Sequence, residues 1–211
     1  NKGTEFLTDY HIHSTFSPDG RASIDANCWR ALALGQDTIA ITDHIEWGHG
    51  WGDFARAGEY LTELDNCREQ FAPLGLTVLS GVEMGNPHDH AREAYAFLDR
   101  YPMQVRIASL HWLYDQNIHL PGCFRGRNPQ TVYKDYFVAL GEMVSGFDAI
   151  DIVAHFDRIL MRGTIIGAPF DPYSLETVIR DALATIADRG IALELNTRLL
   201  DHVPNWRPAL T

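Results

Sequence analysis

The sequence predicts an α/β fold whose sheet is built from parallel strands. Short apolar runs alternate with helical patterns along the 211-residue chain, and such alternation is typical of parallel strands joined by helical crossovers. The runs are almost wholly apolar, as expected of strands that are buried on both faces. A closed or nearly closed α/β barrel and an open doubly wound sheet both fit. No Gly-rich dinucleotide loop follows the first strand, which weakens the Rossmann alternative. The length suits one core and is short for two.

The first half of the chain alternates three predicted strands with three predicted helices. The first helix takes Ser23 as its N-cap and Gly35 as its stop. In the second, apolar residues recur at helical spacing from Phe54 to Phe71, and Pro73 ends the run. The strands are "EFLTDYHIH", "DTIAITDH" and "LTVLSGVEMG", and the first and third helices are "SIDANCWRALALG" and "HDHAREAYAFLDRY".

The second half of the chain repeats the same alternation. Its first predicted helix carries an apolar face that runs from Val132 to Val144, which is the spacing of a helix packed on a core. A further helix follows the fifth strand, at "SLETVIRDALATIADRG". The three strands of this half are "VRIASLHW", "DAIDIVAH" and "GIALELNT".

Composition restricts the compartment and the partners. The formal net charge is −11, from 17 basic and 28 acidic groups, so nucleic acid bound through a broad basic face is not expected. The sequence has neither an apolar run of membrane-spanning length nor an N-terminal signal pattern, so no membrane partner is expected. Cys28, Cys67 and Cys123 lack metal-finger spacing. We therefore expect reduced thiols and a cytoplasmic protein.

Polar residues recur at the carboxyl ends of the predicted strands, where an α/β barrel has its active site. Imidazole and carboxylate groups together suit zinc, iron and manganese, and a carboxylate can bridge two ions. Period-two alternation puts His11 and His13 on the same side of their strand, so both side chains are available to one ion. A single histidine at a strand end is most simply a hydrogen-bonded core residue. Five strands that each end in His or Glu are not explained in that way. The strand-end residues are His11, His13, Asp43, His44, Glu83, His111, His155 and Asn196.

Six segments in order resemble the polymerase and histidinol phosphatase (PHP) superfamily between Thr8 and Thr197. The stretch "TVYKDYFVALGEMVSGFDAIDIVAHFDRI" is similar to the histidinol-phosphate phosphatase branch. The resemblance implies a distorted (β/α)₇ TIM-like barrel with two or three divalent metal ions, either zinc, iron or manganese. The segments are "DYHIHSTFSPDG", "ITDH", "GVEMG", "SLHW", "IVAHFD" and "LELNT".

The resemblance also assigns ligands position by position. It gives His11 and His13 to one ion and makes Glu83 the bridge to a second ion. It gives His111 and His155 to that second ion, so these two and Glu83 are the implied catalytic residues. It gives a third ion two ligands, Asp19 and His44.

One family motif is missing from the sequence. The family closes its site with Asp-x-His after a seventh strand, whereas Asp201 and His202 are adjacent and follow no apolar strand. We therefore expect residues 1–211 to be a single PHP domain that is truncated at its C-terminus and lacks two of the implied ligands.

The chemistry implied is metal-dependent hydrolysis of a small phosphate monoester by a hydroxide that bridges the ions. The family branch implies histidinol phosphate as the substrate, and hence a role in histidine biosynthesis. Two alternatives stay open. One is a PHP phosphoesterase that acts on a nucleotide or another small phosphate ester. The other is a non-catalytic PHP module. The oligomeric state cannot be predicted from the sequence.

A second group of residues is predicted to contact the substrate. Arg158 and Arg162 follow His155 closely, and Arg198 follows Asn196; a guanidinium binds phosphate bidentately. Surface ion pairs are the alternative for these arginines. Trp112 is a candidate to cover a flat imidazole-bearing substrate, or else packs at the rim. Three further residues have more modest interpretations. Asp43 orients a ligand or caps a turn, and His49 and His119 belong to surface loops.

Overall fold

The computed structural model describes residues 7–48 and 56–195. Six strands form the main sheet and neighbour one another in the order in which they follow along the chain, and two further short strands pair separately. A doubly wound sheet reverses its strand order at a switch point, so this sequential order favours the barrel alternative. The strands are β1 (Thr8–Ile12), β2 (Thr38–Glu46), β3 (Thr77–Gly85), β4 (Val105–Ser109), β5 (Trp112–Leu113), β6 (Gln116–Asn117), β7 (Ile152–Val153) and β8 (Ala192–Leu193).

Six α-helices lie between or after these strands in the described part of the chain. Three short 3₁₀ helices span Ala72–Leu74, Pro87–His90 and Pro121–Phe124. None of the described helices is long and apolar enough to cross a bilayer. The α-helices are α1 (Ile24–Ala33), α2 (Ala57–Phe71), α3 (Ala91–Arg100), α4 (Pro129–Gly146), α5 (Arg158–Ile165) and α6 (Pro172–Asp188).

Helix starts follow ordinary capping chemistry. The side chain of Ser23 accepts a hydrogen bond from the Ala26 backbone N–H, which confirms it as the N-cap of α1. Asn128 caps α4 and Asp171 caps α6, and each is followed by proline at the first helical position. The predicted stop of α1, Gly35, has φ +73°, a backbone conformation that glycine adopts without strain.

Several boundaries differ from the sequence predictions. The second strand runs two residues beyond His44, to Glu46, whereas the third ends at Gly85 as predicted. The third helix begins at Ala91 because Pro87–His90 forms a 3₁₀ turn first. The fifth and sixth strands have only two paired residues each. Helix α5 and the β5–β6 hairpin were not predicted, since both lie in short segments without a clear period.

Contacts divide the chain into two compact units. Among the described residues, the first unit contains 7–48, 56–84 and 92–107, and the second contains 85–91 and 108–195. In the first unit, Tyr60 of α2 is fully buried, and its hydroxyl lies 2.6 Å from the Ile41 carbonyl oxygen and 2.8 Å from that of Gly81. Helix α2 is thereby fixed to β2 and β3, the strands that carry polar residues at their ends.

The core of the second unit is organised by α4. The apolar face predicted from Val132 to Val144 is buried, and α4 packs against α6. Tyr136, fully buried on this face, has its hydroxyl 3.4 Å from the carbonyl oxygen of His155. Helix α4 therefore supports the backbone at one of the predicted metal ligands. All three cysteines are buried free thiols, as predicted.

Candidate metal centre

Three histidines of the first unit converge on one carboxylate. Glu83 of β3 is fully buried. Its Oε2 lies 3.0 Å from His11 Nε2 and 2.9 Å from His13 Nε2. The same oxygen lies 3.2 Å from Nδ1 of His44, which comes from β2. A buried carboxylate is costly unless charged or polar partners surround it, and here three imidazoles do so.

The two histidines of the first strand lie side by side. His11 lies in β1, and His13 is the first residue after the end of that strand. The Nε2 atoms of the two rings are 3.1 Å apart. This proximity agrees with the period-two alternation that the sequence shows. Two imidazole nitrogens this close to each other and to a carboxylate oxygen form a set of donors that one cation can bind.

Asp19 reaches the same cluster from the loop after β1. Its Oδ1 lies 2.9 Å from His13 Nδ1, and its Oδ2 lies 3.6 Å from His44 Nε2. The loop turns tightly at Gly20, where a Cβ atom would lie 1.7 Å from the Ser14 carbonyl oxygen. Only glycine fits there, so the Asp19-Gly20 pair of the sequence is required to bring this carboxylate back to the histidines.

Asp43 fixes the backbone beside these ligands. It is fully buried, and its carboxylate accepts hydrogen bonds from the Ser14 backbone N–H at 2.7 Å and from the Ser14 hydroxyl at 2.6 Å. The His44 backbone N–H donates to the Ser17 hydroxyl at 2.8 Å. These contacts are with Ser14, where the turn after β1 begins, so they fit the turn-capping interpretation of Asp43 and hold the residue that follows His13.

The charges of the cluster are strongly coupled. Burial lowers the pKa of His13, but hydrogen bonds to Asp19 and Glu83 outweigh burial and raise that pKa to about 9. Burial raises the pKa of Asp19, but hydrogen bonds from His13 and His44 outweigh it and hold the pKa well below its ordinary value. Both carboxylates therefore favour the protonated form of His13 in the absence of metal, and a metal ion that binds one of its ring nitrogens has to displace a proton.

The donor set of the first unit fits a divalent cation. One ligand atom from each of His13, His44 and Glu83 lies within 4.8 Å of the others. Two imidazole nitrogens and a carboxylate oxygen are the combination found in many zinc sites, and they also suit iron and manganese. The prediction of divalent metal therefore agrees with the chemistry of the residues that the fold brings together.

Glu46 is a carboxylate of this region that sequence reasoning missed. It ends β2, is 3% exposed, and its Oε1 lies 3.8 Å from His44 Nδ1. Residues two apart in a strand share a face, so the His44-x-Glu46 spacing was an available signal. Glu46 therefore adds a second buried carboxylate within ion-pair distance of the His44 ring, besides Glu83.

Glu46→Gln is expected to weaken metal binding about tenfold, the lower end of the range for residues that surround metal ligands, because it removes a buried negative charge close to His44. The measurement is the dissociation constant for zinc, obtained by competition with a chromophoric chelator. Glu59→Gln is the matched control, because Glu59 is an exposed residue paired with Arg56 on the surface. Equal zinc affinity in wild type and Glu46→Gln would exclude a role for Glu46 in metal binding.

The second unit contains the other two predicted histidine ligands. The rings of His111 and His155 stack with centroids 5.3 Å apart and planes at 22°. The Ser109 hydroxyl lies 3.4 Å from His155 Nε2. Both rings are buried, so the structure brings these two histidines together within this unit.

Two residues that were not predicted hold these histidines in place. Asn86, with φ +44°, accepts hydrogen bonds from the backbone N–H groups of His111 and Trp112. Glu194 accepts one from the His155 N–H at 2.7 Å, and His155 itself has φ +31°. Positive φ is costly for a residue with a side chain and persists where surrounding contacts impose it. Backbone strain of this kind leaves no readable pattern in a single sequence.

The structure gives the positions of three of the predicted substrate-binding residues, and their role stays a prediction. Arg158 is the first residue of α5, and Arg162 lies one turn later on the same helix. Trp112 is half-buried in β5. His119 does lie in a loop, as expected, but its ring is half-buried: its centroid is 5.8 Å from that of His111 and its Nδ1 is 2.5 Å from Arg158 Nη2. Seven residues named from the sequence lie outside the described residues: His49, Phe54, Asn196, Thr197, Arg198, Asp201 and His202.

Residues 9–198 match the family described as PHP domain. This chain belongs to the PHP domain family. The match covers most of the chain and includes residues of both compact units. It confirms the superfamily that the six segments predicted.

Relatives of this PHP domain agree in name and in fold. The histidinol-phosphatase of Lactococcus lactis subsp. lactis (strain IL1403) is 26% identical over 195 residues, which are 92% of this chain and 72% of the relative. A crystal structure of histidinol phosphate phosphatase from that organism, complexed with zinc, L-histidinol and phosphate, has a TM-score of 0.83 at 24% identity. It covers 92% of this chain and 74% of the other.

A solved structure from Listeria monocytogenes has a TM-score of 0.72 at 18% identity and covers 92% of this chain and 84% of that one. These likenesses confirm the predicted fold class, a distorted TIM-like α/β barrel. The Lactococcus lactis relative is a histidinol-phosphatase, which is the branch that the sequence resembles.

Proposed function

We propose that this PHP domain is a metal-dependent phosphomonoester hydrolase whose substrate is histidinol phosphate. The observation that carries the proposal is the buried Glu83 oxygen with three imidazole nitrogens within 3.2 Å. The substrate follows from the relative: the Lactococcus lactis phosphatase, of the same family branch, has been crystallised with zinc, histidinol and phosphate. The reaction places this chain in histidine biosynthesis.

The proposed ligands are those that the family resemblance assigned from the sequence. When bound, two or three divalent ions supply Lewis-acid polarisation of water and of the phosphoryl group. Zinc is the first ion to test because the Lactococcus lactis complex contains it; iron and manganese suit the same donors. The ligands proposed in the first unit are His11, His13, Asp19, His44 and Glu83, and those in the second unit are His111 and His155.

The chain's own contribution is to hold these donors rigidly and to bind the phosphate. Glu83 lies in a strand and is fully buried, which strengthens its electrostatic interaction with any cation near it. Arg158 and Arg162 are proposed to bind phosphate oxygens, because a planar guanidinium matches two of them at once. Arg198 and Trp112 complete the proposed set of substrate contacts. Glu83, His111 and His155 are the proposed catalytic residues.

Compartment and partner follow from the same proposal. The partner is a small phosphorylated molecule, not a polymer, because a net charge of −11 disfavours long polyanions. We propose a cytoplasmic location, since all three cysteines are free thiols and the cytoplasm keeps thiols reduced.

The test is turnover of histidinol phosphate by the full chain after loading with zinc, manganese or iron, beside a nucleoside monophosphate and p-nitrophenyl phosphate. We expect histidinol phosphate to have the highest kcat/KM. His13→Ala should lower this value more than about 100-fold, since even partners outside the ligand set cost 10- to 100-fold. Hydrolysis of the other esters alone would contradict the substrate. Failure to hydrolyse any ester, with no metal retained, would indicate a non-catalytic module.

A further inference from the structure

We propose that His119 is a positioning residue that holds the guanidinium of Arg158 ready for phosphate. The proposal rests on the proposed function, in which Arg158 binds the phosphoryl group of the substrate. It gives a role to a residue just after β6 that the sequence analysis assigned only to a surface loop. Its basis is one short contact in the second unit and the way in which the chain builds that contact.

The contact defines the role of each group. Arg158 Nη2 lies 2.5 Å from His119 Nδ1. A guanidinium has only donors, so Nδ1 of His119 is the acceptor and the ring proton is on Nε2. A hydrogen bond from a charged donor is stronger than a neutral one. Unlike a carboxylate, a neutral imidazole holds the guanidinium without cancelling the charge that phosphate needs.

The β5–β6 hairpin fixes the position of His119. Directly after His111 the chain reverses through Tyr114 and Asp115, whose φ angles of +54° and +58° match the two-residue turn that tight hairpins favour. The returning strand leads to Ile118, which is fully buried and donates its N–H to the His111 carbonyl at 2.9 Å. The backbone before His119 is therefore tied to a predicted metal ligand.

The side chain of Asn117 completes this support. Its Oδ1 accepts a hydrogen bond from the His119 backbone N–H at 2.8 Å. The His119 ring then lies with its centroid 5.8 Å from that of His111. His119 is thus held at two points. The hairpin holds its backbone, and the Arg158 guanidinium holds Nδ1 of its ring.

Arg158 is held at its backbone but has a long, flexible side chain. Its N–H donates to the His155 carbonyl at 2.8 Å as α5 begins. An arginine side chain loses much rotamer entropy when it is fixed in one conformation. Binding phosphate with a guanidinium that is already oriented avoids part of that cost. His119 therefore acts on phosphate through Arg158, and its loss should weaken phosphate binding more than it slows turnover.

The primary measurement is the dissociation constant of inorganic phosphate from the metal-loaded full chain, by titration calorimetry. We expect His119→Ala to raise this constant about tenfold, which corresponds to about 1.4 kcal/mol. His119→Asn keeps an oxygen acceptor close to the position of Nδ1 and should restore affinity to within about threefold. For histidinol phosphate, KM should rise in His119→Ala by a similar factor while kcat changes less than about threefold.

A double-mutant cycle with Arg158→Ala tests the pairing itself. In the Arg158→Ala background, His119→Ala should have no further effect on phosphate affinity. An equal effect in both backgrounds, or loss of bound metal in His119→Ala, would overturn the inference. The control is Arg180→Ala, which removes an exposed arginine paired with Glu176 and should leave affinity unchanged.

Phosphate binding separates this inference from the proposed function. If the wild type binds phosphate and the mutant cycle shows coupling, but the wild type does not hydrolyse histidinol phosphate, the proposed function is wrong and the pairing of His119 with Arg158 stands. If the wild type hydrolyses histidinol phosphate but the mutant cycle shows no coupling, the proposed function stands and the pairing is wrong. If the wild type binds no phosphate, the inference is wrong.

Discussion

Glu83→Gln is expected to reduce phosphatase turnover more than about 100-fold and to release bound metal. The substitution keeps the shape of the side chain but removes the negative charge that three imidazole nitrogens surround within 3.2 Å. Changes to residues that merely orient a ligand already cost 10- to 100-fold, and Glu83 is proposed as a ligand that bridges two ions. The measurements are kcat/KM for histidinol phosphate and metal content per chain.

The control for this prediction is Glu59→Gln in the same unit. Glu59 is exposed and paired with Arg56, so its loss should change neither turnover nor metal content. Circular dichroism should show that both variants retain wild-type secondary structure. Full activity and full metal content in Glu83→Gln would remove Glu83 from the site and refute the proposed arrangement.

Asp43→Ala is expected to lower the free energy of unfolding by about 3 kcal/mol. The change removes two hydrogen bonds to a buried carboxylate and leaves the Ser14 N–H and hydroxyl without their acceptor; hydrogen bonds to charged groups contribute about 1.5–3 kcal/mol each. Because Ser14 follows His13 directly, zinc affinity should fall as well. Urea denaturation at pH 7 measures the first effect, and chelator competition measures the second.

Asp43→Asn and Asp65→Ala are the matched variants. Asparagine keeps an acceptor for the Ser14 N–H, so Asp43→Asn should cost less than the alanine variant and retain more zinc. Asp65 forms an exposed ion pair with Arg68, and such pairs contribute about 0–1 kcal/mol. If Asp43→Ala were no more destabilising than Asp65→Ala, the anchoring role of Asp43 would be disproved.

The succession of strands and most helices along the chain could be predicted, because the spacing of apolar residues differs between buried strands and helices. The predicted core face of α4 is the buried one, and Ser23 caps α1 as the sequence indicates. Strand lengths were less predictable. The fifth strand has only Ile152 and Val153 paired, although its apolar run is longer, because pairing depends on a neighbouring strand and not on the run alone.

The candidate site was predictable where its residues follow strands and unpredictable where backbone geometry places them. The His-x-His pair and Glu83 followed from residue type and position. His119 is brought beside Arg158 by a hairpin whose turn residues, Tyr114 and Asp115, have positive φ without any glycine. Asn86 acts through a left-handed backbone conformation that its sequence neighbours do not reveal.

X-ray absorption spectroscopy of the zinc-loaded full chain tests most directly whether these histidines and carboxylates bind metal. The structure predicts nitrogen and oxygen neighbours at about 2.0–2.2 Å with the outer-shell scattering of imidazole, and no sulfur. The three cysteines are buried free thiols and take no part in the proposed site. A sulfur shell at about 2.3 Å, or a chain that retains no zinc after loading, would contradict the proposed metal centre.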